Sequence, residues 1–219
     1  MEHVYVDLVS DPVCPWCWLG LKYWDAARIL VPEIKTKTVL RPYQLDPALP
    51  RSGTDYRAYM RKKFGDGPSD QFKAMRVYLE QAAPDAGIEF KFDQISKRPN
   101  TLDAHRLIRW AQGQGVGETV ADRLHKAFLN DGRDIGDASV LTQIAEEGGL
   151  DAALVGELLS SDRDSDAVLK EERFYRELGV QGVPCFIFNG QFAVSGAEAP
   201  KVLADAITKA ATLPVPNSH

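Results

Sequence analysis

Hydrophobic and polar positions follow two different periods along this 219-residue chain, and the period changes twice. Short apolar runs near the start, such as VYVDLV at 4–9, are typical of β-strands. Between about residues 55 and 179, apolar residues recur every three or four positions, as on amphipathic helices. After Gly182 the strand pattern returns, with Asn189-Gly190 as a two-residue hairpin turn. The predicted strands are 4–9, 36–43, 184–188 and 191–195.

Helices account for most of the remaining chain. One is expected soon after the first strand, from Trp18 towards Leu30. Asp137 and Asp151 stand where N-terminal helix caps are favoured, just before two further helical patterns. A proline-containing tail is expected to follow the last helix. The other predicted helices are 55–63, 71–81, 102–112, 118–129, 138–147, 152–159, 164–178 and 199–211.

The order of these elements predicts an α/β fold in which one domain is split along the sequence. Residues 1–44 and 165–219 supply all the strands and are expected to form one α/β domain. Residues 45–164 are almost entirely helical in pattern and are expected to form a large all-helical insertion.

Composition narrows the functional classes. The chain is 44% hydrophobic and 26% charged, which is ordinary for a soluble globular protein. A net charge of -5 and the lack of a long Lys/Arg run argue against nucleic acid as a partner. No apolar stretch reaches the roughly 20 residues that span a bilayer, so no membrane association is expected. The first residues lack the basic and apolar segments of a secretory signal, which predicts a cytoplasmic location.

Candidate chemistry is concentrated in Cys14-Pro15-Trp16-Cys17, between the first strand and the first helix. Thiolate is the reactive form of cysteine, and a helix N-terminus favours negative charge. The motif therefore predicts a dithiol that exchanges disulfides. The alternative is half of a zinc site, but zinc needs four ligands in a structural site, and no second CxxC or paired histidines are available. No metal is expected.

Four features together resemble the thioredoxin fold: the CxxC after the first strand, Pro184 opening a late strand, the Asn189-Gly190 hairpin and the terminal helix. Stretches 10–17, 100–106, 132–135 and 179–184 resemble, within that fold, the DsbA family with its helical insertion. More closely, they resemble the cytoplasmic FrnE-like branch of that family. The resemblance implies a thiol–disulfide oxidoreductase with no cofactor.

The resemblance also implies a role for individual residues. Cys14 is expected to be an exposed attacking thiol, and Cys17 the buried thiol that resolves the mixed disulfide. Pro184 is expected to be cis and to pack beside the pair. The backbone of Val183 is expected to hydrogen-bond an extended substrate segment. Pro15 and Trp16 separate the cysteines, and Trp16 is a candidate for an apolar substrate-contact patch.

Three other residues have two interpretations each. His105, on a helix of the insertion, either stabilises the Cys14 thiolate or shapes the substrate groove, or is simply a partly buried polar residue. Asp7 is either the buried acid that thioredoxin-like proteins hold beneath the CxxC or a surface aspartate. Cys185 is either a third redox participant or a packing residue of a core strand, and packing is favoured.

The leading hypothesis is a cytoplasmic thiol–disulfide oxidoreductase of the reductase or isomerase type, acting on protein or small thiol and disulfide substrates through a mixed disulfide. Glutathione is a candidate thiol co-substrate. One alternative is a glutathione-dependent enzyme related to 2-hydroxychromene-2-carboxylate isomerase or kappa-class glutathione transferases. Such enzymes usually have serine where Cys14 stands, so the retained cysteines argue against this class. Another alternative is a non-catalytic peptide-binding module. The sequence leaves open whether the protein forms a homodimer.

Overall fold

A four-stranded mixed sheet supports the cysteine motif. The computed structural model describes residues 3–65 and 70–213. The tail predicted after the last helix lies almost entirely outside the described residues. The described strands are β1 (Val4–Ser10), β2 (Thr36–Pro42), β3 (Thr54–Asp55), β4 (Lys97–Arg98), β5 (Cys185–Phe188) and β6 (Phe192–Ser195).

The sheet has the strand order β2-β1-β5-β6. β1 is parallel to β2 and antiparallel to β5, with Val9 opposite Cys185. β5 and β6 form the hairpin expected around Asn189-Gly190, and both turn residues have the positive φ that this turn requires. β3 and β4 pair with each other in a separate two-stranded sheet. Their two-residue length leaves no periodicity in the sequence, so they were not predicted.

The helical pattern is confirmed in the described part of the chain, with ends displaced by a few residues. The largest difference is at the first helix, which begins at Pro15 and not at Trp18, because proline is favoured in the first turn of a helix. The described helices are α1 (Pro15–Leu30), α2 (Tyr56–Phe64), α3 (Asp70–Ala82), α4 (Leu102–Gly113), α5 (Gly117–Leu129), α6 (Ala138–Glu147), α7 (Ala152–Leu159), α8 (Ser165–Glu177) and α9 (Pro200–Thr212).

The two faces of the central sheet pack against different helices. Val6 and Leu8 of β1 belong to the main core, which includes α1 and α9, and the ring of Trp24 contacts Phe186 and Phe188. The opposite face carries a smaller cluster with Val9 and Cys185, which is covered by Tyr175 of α8.

The main core continues from the sheet into helices of the predicted insertion. Trp24 and Phe186 belong to the same buried cluster as Leu107, Leu124 and Ile144. Burial of this shared apolar surface stabilises both parts together. The proposed boundaries at 44/45 and 164/165 remain a prediction, since the hydrophobic core crosses them. No helix in the described ranges is long and apolar enough to cross a bilayer.

Candidate active site

The CPWC motif lies at the N-terminus of α1, directly after β1. Cys14 is the residue that precedes the helix, and its backbone N–H donates to the carbonyl of Asp11 at 2.9 Å. Its own carbonyl accepts from Cys17 N at 3.1 Å and from Trp18 N at 3.3 Å, so the first turn closes on Cys14. Both thiols are free. This local structure places Cys14 at the positive end of a helix.

Cys14 is less accessible than the resemblance implied. Only 3% of the residue is exposed, so the expectation of an exposed thiol was wrong. Its Sγ lies 3.7 Å from the carbonyl oxygen of Val183, to which the thiol donates. The segment that carries Val183 therefore covers part of the sulfur. The remaining approach is through a groove.

This groove, called here the dithiol groove, has a volume of about 610 Å³ and is lined by Val13–Trp16, by most of α2, and by Gly182 and Val183. Its lining is mostly apolar and includes Trp16, Met60, Phe92 and Phe128. Trp16 also contacts the ring of Tyr78 at a centroid distance of 5.4 Å. A larger cavity of about 780 Å³ lies between β2, α4 and α7, but neither cysteine of the motif lines it. The position of the cysteines therefore indicates the dithiol groove, and not the larger cavity, as the candidate active site.

Cys17 lies behind Cys14 and is 1% exposed. Burial raises the pKa of the Cys17 thiol well above its ordinary value, and the hydrogen bond and charge of Cys14 and the charge of Asp11 raise it further. Cys17 is thus held as a neutral thiol near neutral pH. It becomes a nucleophile only when its proton is removed.

The Val183–Pro184 peptide bond is cis. Pro184 packs against α1 at Gly20, where an added Cβ would lie 2.8 Å from Pro184 Cγ. Glycine is therefore required at position 20 for the helix and the proline to approach this closely. In the described part of the chain, no hydrogen bond is made by the N–H of Val183, so this backbone edge is available to a ligand.

A buried carboxylate that the sequence analysis did not single out lies next to the motif. Asp11 is fully buried, and its Oδ2 accepts from Leu45 N at 2.8 Å. Its Oδ1 has no hydrogen-bond partner among the described residues and lies 3.7 Å from His105 Nε2, which also has none. A charged residue three positions before Cys14, directly after an apolar strand, was the available signal.

His105 is 3% exposed and does not line the dithiol groove. Its nearest charged group is Asp11, and no contact with either cysteine of the motif is found in the described structure. An influence of His105 on the dithiol therefore acts through Asp11.

His125 is a second buried histidine near Asp11. Its ring stacks on Trp18 at a centroid distance of 6.5 Å and an interplanar angle of 10°. Burial lowers the pKa of His125 to about 4, although Asp122, Asp11 and a hydrogen bond to the Pro12 carbonyl favour the charged form. His125 is consequently neutral near pH 7.

Arg98 joins the loop before Cys14 to α2. Its guanidinium contacts Asp46 at 2.6 Å, donates to the Val13 carbonyl at 3.3 Å, and lies over the ring of Tyr59. Tyr59 in turn donates to Asp46 at 2.7 Å. Burial lowers the pKa of Arg98, but Asp11, Tyr59 and Asp46 raise it more, so the guanidinium remains charged. These bonds help to position the wall of the groove.

The structure does not bring Asp7 to the motif. Its carboxylate pairs with Arg41 at 2.7 Å and lies near Tyr175, whose pKa is raised by burial and by Asp7. Residues 7 and 9 of β1 share the sheet face that α8 covers, because strand side chains alternate. The hypothesis of Asp7 as the acid beneath the CxxC was wrong, and Asp11 occupies that place.

Cys185 lies on the same face as Val9 and belongs to the cluster with Tyr175. Burial raises the pKa of its thiol, outweighing a hydrogen bond from Ser195 Oγ at 3.9 Å. This position supports the packing interpretation. Within the described ranges, no group of three or more His, Cys, Asp or Glu side chains is arranged to hold a metal ion.

Comparisons with known proteins agree with this geometry. The model of the DSBA-like thioredoxin domain matches residues 5–208. The uncharacterized protein YwbO of Bacillus subtilis (strain 168) is 29% identical over 209 residues, covering 94% of this chain and 96% of YwbO. A crystal structure of the probable DsbA oxidoreductase SCO1869 from Streptomyces coelicolor has a TM-score of 0.88 at 28% identity, covering 99% of this chain and 94% of that one.

The fold is also shared with the cytosolic disulfide reductase DsbM from Pseudomonas aeruginosa, solved with GSH. That structure has a TM-score of 0.64 at 18% identity, covering 94% of this chain and 96% of DsbM. The family model covers almost the whole chain. The matched region includes the dithiol at the start of α1 and the cis proline that precedes β5. The chain belongs to the family of DSBA-like thioredoxin domains, whose members are thiol–disulfide oxidoreductases.

Proposed function

We propose that this protein is a cytoplasmic thiol–disulfide oxidoreductase of the reductase or isomerase type. The observation that carries the proposal is the pair of thiols at the start of α1, with Cys14 at the end of an apolar groove and Cys17 buried behind it. We also propose that the protein belongs to the FrnE-like branch, which its sequence stretches resemble.

In the proposed reaction, Cys14 attacks one sulfur of a substrate disulfide. A Cys14–substrate S–S bond forms, the substrate's own S–S bond breaks, and the departing sulfur takes up a proton. Cys17 then loses its proton and attacks Cys14, which releases the second substrate thiol. Two electrons have passed to the substrate, and Cys14 and Cys17 are joined as a disulfide. Two molecules of a small thiol such as glutathione return the pair to the reduced form.

Asp11 is the group best placed to influence the second step. It is fully buried, and its charge is among the causes of the raised Cys17 pKa. We assign it a positioning and electrostatic role towards Cys17, with His105 acting through it. The backbone of Val183 is proposed to pair with an extended substrate, and Pro15 and Trp16 to form the near wall of the groove.

The cytoplasmic location and the use of glutathione are supported by the cytosolic disulfide reductase DsbM, which was crystallised with GSH. A homodimer remains a prediction that solution mass measurements can test.

The test is a disulfide-reduction assay with insulin and a small thiol, using the protein, Cys14→Ser and Cys17→Ala. We expect turnover by the unchanged protein, none by Cys14→Ser, and a trapped mixed disulfide with Cys17→Ala. Isomerase or transferase activity with glutathione that survives both substitutions would replace the proposal by the chromene-carboxylate isomerase alternative. A folded protein with no activity in any of these assays would favour the peptide-binding alternative.

A further inference from the structure

The charge of the dithiol groove is opposite to that of the whole chain. The chain has a net charge of -5. Among the residues that the structure describes, the groove lining contains five cationic side chains and one acid, Asp93. The cations are Arg57, Arg61, Lys63, Arg76 and Arg98. Such a local excess of positive charge in an acidic protein attracts anionic ligands and repels cationic ones.

Three of these cations are already engaged by carboxylates. Lys63 and Arg98 both contact Asp46, at 3.1 Å and 2.6 Å. Arg76 contacts Asp93 at 3.0 Å and also Glu80. Their charges are therefore largely neutralised by the protein itself.

Arg57 and Arg61 differ from the other three. Both are exposed, and neither forms an ion pair or a side-chain hydrogen bond with the side chains that the structure describes. The charge of Arg57 does act on Asp93, whose pKa is lowered mainly by Arg76 and to a smaller extent by Arg57. They are separated by four positions on α2, so they are neighbours on one face of the helix, with Cβ atoms about 5–6 Å apart. Two adjacent guanidinium groups are thus available at the rim of the groove that leads to Cys14.

The helix that carries them touches the main core only through the partly buried Tyr56. α2 has no buried residue, and its aromatic and aliphatic side chains, including Tyr56, Met60 and Phe64, line the groove. The bonds of Tyr59 and Arg98 to Asp46 hold the helix against the loop before Cys14. α2 therefore presents an apolar side and a cationic rim to whatever approaches the dithiol.

We propose, as an extension of the proposed function, that the preferred substrates are disulfides in acidic, extended polypeptide segments. Apolar side chains beside the substrate cysteine would pack on the groove lining, and acidic side chains would pair with Arg57 and Arg61. On one side of an extended strand, neighbouring side chains belong to residues i and i+2 and are about 6.6 Å apart. Acids at alternate positions therefore match the spacing of the two arginines. Glutathione supplies carboxylates but no apolar side chain for this lining.

The test uses four peptides of equal length. In each, one cysteine forms a disulfide with a reporter thiol and has an aromatic residue beside it. The first peptide has two acidic residues at alternate positions and the second has them at adjacent positions, while the third and fourth have two glutamines or two lysines in place of the acids. The protein with the natural sequence should have the highest kcat/KM for the alternate-acid peptide, by about tenfold over the glutamine peptide, through a lower KM. This preference should weaken at high salt.

In the double variant Arg57→Glu/Arg61→Glu, the order should invert, with the lysine peptide becoming the best substrate. A gain for the lysine peptide cannot arise from misfolding. The matched control is Lys170→Glu/Arg173→Glu on α8, which changes the net charge equally at two exposed positions outside the groove. It should retain the natural preference.

Equal kcat/KM for acidic and glutamine peptides would overturn the inference while leaving the proposed function intact. So would a preference for glutathione disulfide over every peptide, because the occupant would then be a small anion. Failure of every disulfide, including glutathione disulfide, would instead count against the proposed function.

Discussion

His125 should make the folded protein sensitive to mild acid. The residue is 2% exposed, stacks on Trp18, and has a pKa of about 4 in the folded protein, against 6.5 for an ordinary histidine. Burial is the main cause. Below pH 6.5 the unfolded chain binds a proton at this position while the folded protein does not, so the unfolded state is favoured as the pH falls.

The size of the effect follows from these two pKa values. At 1.36 kcal/mol per pH unit, the gap between 6.5 and about 4 corresponds to about 3 kcal/mol of stability, lost between those two pH values. By pH 5 the loss should be about 2 kcal/mol. Some Asp and Glu side chains also begin to take up protons in this pH range. The contribution of His125 must therefore be isolated by comparison with a variant that lacks it.

The assay is urea unfolding at pH 7.5, 6.5, 5.5 and 5.0 with the natural sequence, His125→Gln and His3→Gln. Glutamine keeps a donor for the Pro12 carbonyl but does not titrate. The free energy of unfolding should fall by about 2 kcal/mol less between pH 7.5 and 5.0 in His125→Gln than in the natural sequence. His3 is exposed and serves as the control. Parallel curves for the natural sequence and His125→Gln would refute the reasoning.

Three further changes test other parts of the site. Cys17→Ala should accumulate mixed disulfides on Cys14 in cells, detected as thiol-releasable complexes, and their appearance without Cys14 would contradict the assigned roles. Asp11→Asn should lower the pKa of Cys17, because a negative charge that opposes the thiolate is removed, and the pH dependence of Cys17 alkylation in a Cys14→Ala background measures it. An upward shift would argue against this electrostatic role. Gly20→Ala should destabilise the fold by about 1–3 kcal/mol, because the new Cβ meets a proline ring at 2.8 Å. Gly156→Ala is the control, since its nearest neighbour is at 3.9 Å and alanine should stabilise α7 by about 0.5–1 kcal/mol; equal effects of the two changes would contradict the packing argument.

The hydrophobic pattern was sufficient to predict the elements that have regular periods. The four strands of the main sheet and the helices from α4 onwards are within a few residues of their expected positions, because each has one face buried. The pattern did not predict β3 or β4, whose existence depends on pairing between residues 42 positions or more apart.

The parts of the site formed by residues close together in the sequence were predictable. The parts formed by residues that only the tertiary structure brings together were not. Cys14 and Cys17 are adjacent to a helix start in the sequence itself. The placement of Asp7 depended on which face of β1 meets α8, and this is set by tertiary packing. The same holds for the groove, whose lining combines residues 13–16, α2, Arg98 and residues 182–183, which are far apart in the sequence. By contrast, the shared face of Cys185 and Val183 follows from strand alternation alone.

The pairing of β1 with β5 has a consequence for the newly made chain. Cys14 and the Val183 carbonyl that covers it are separated by 169 residues, and β5 follows immediately after that segment. At about 5–20 residues per second, a ribosome needs on the order of ten to thirty seconds to add this length. Throughout that interval both sulfurs of the motif have emerged but the strand and proline that enclose them have not. Each round of translation therefore produces a nascent chain whose cysteine pair is open to solvent until β5 and the segment before it have been made.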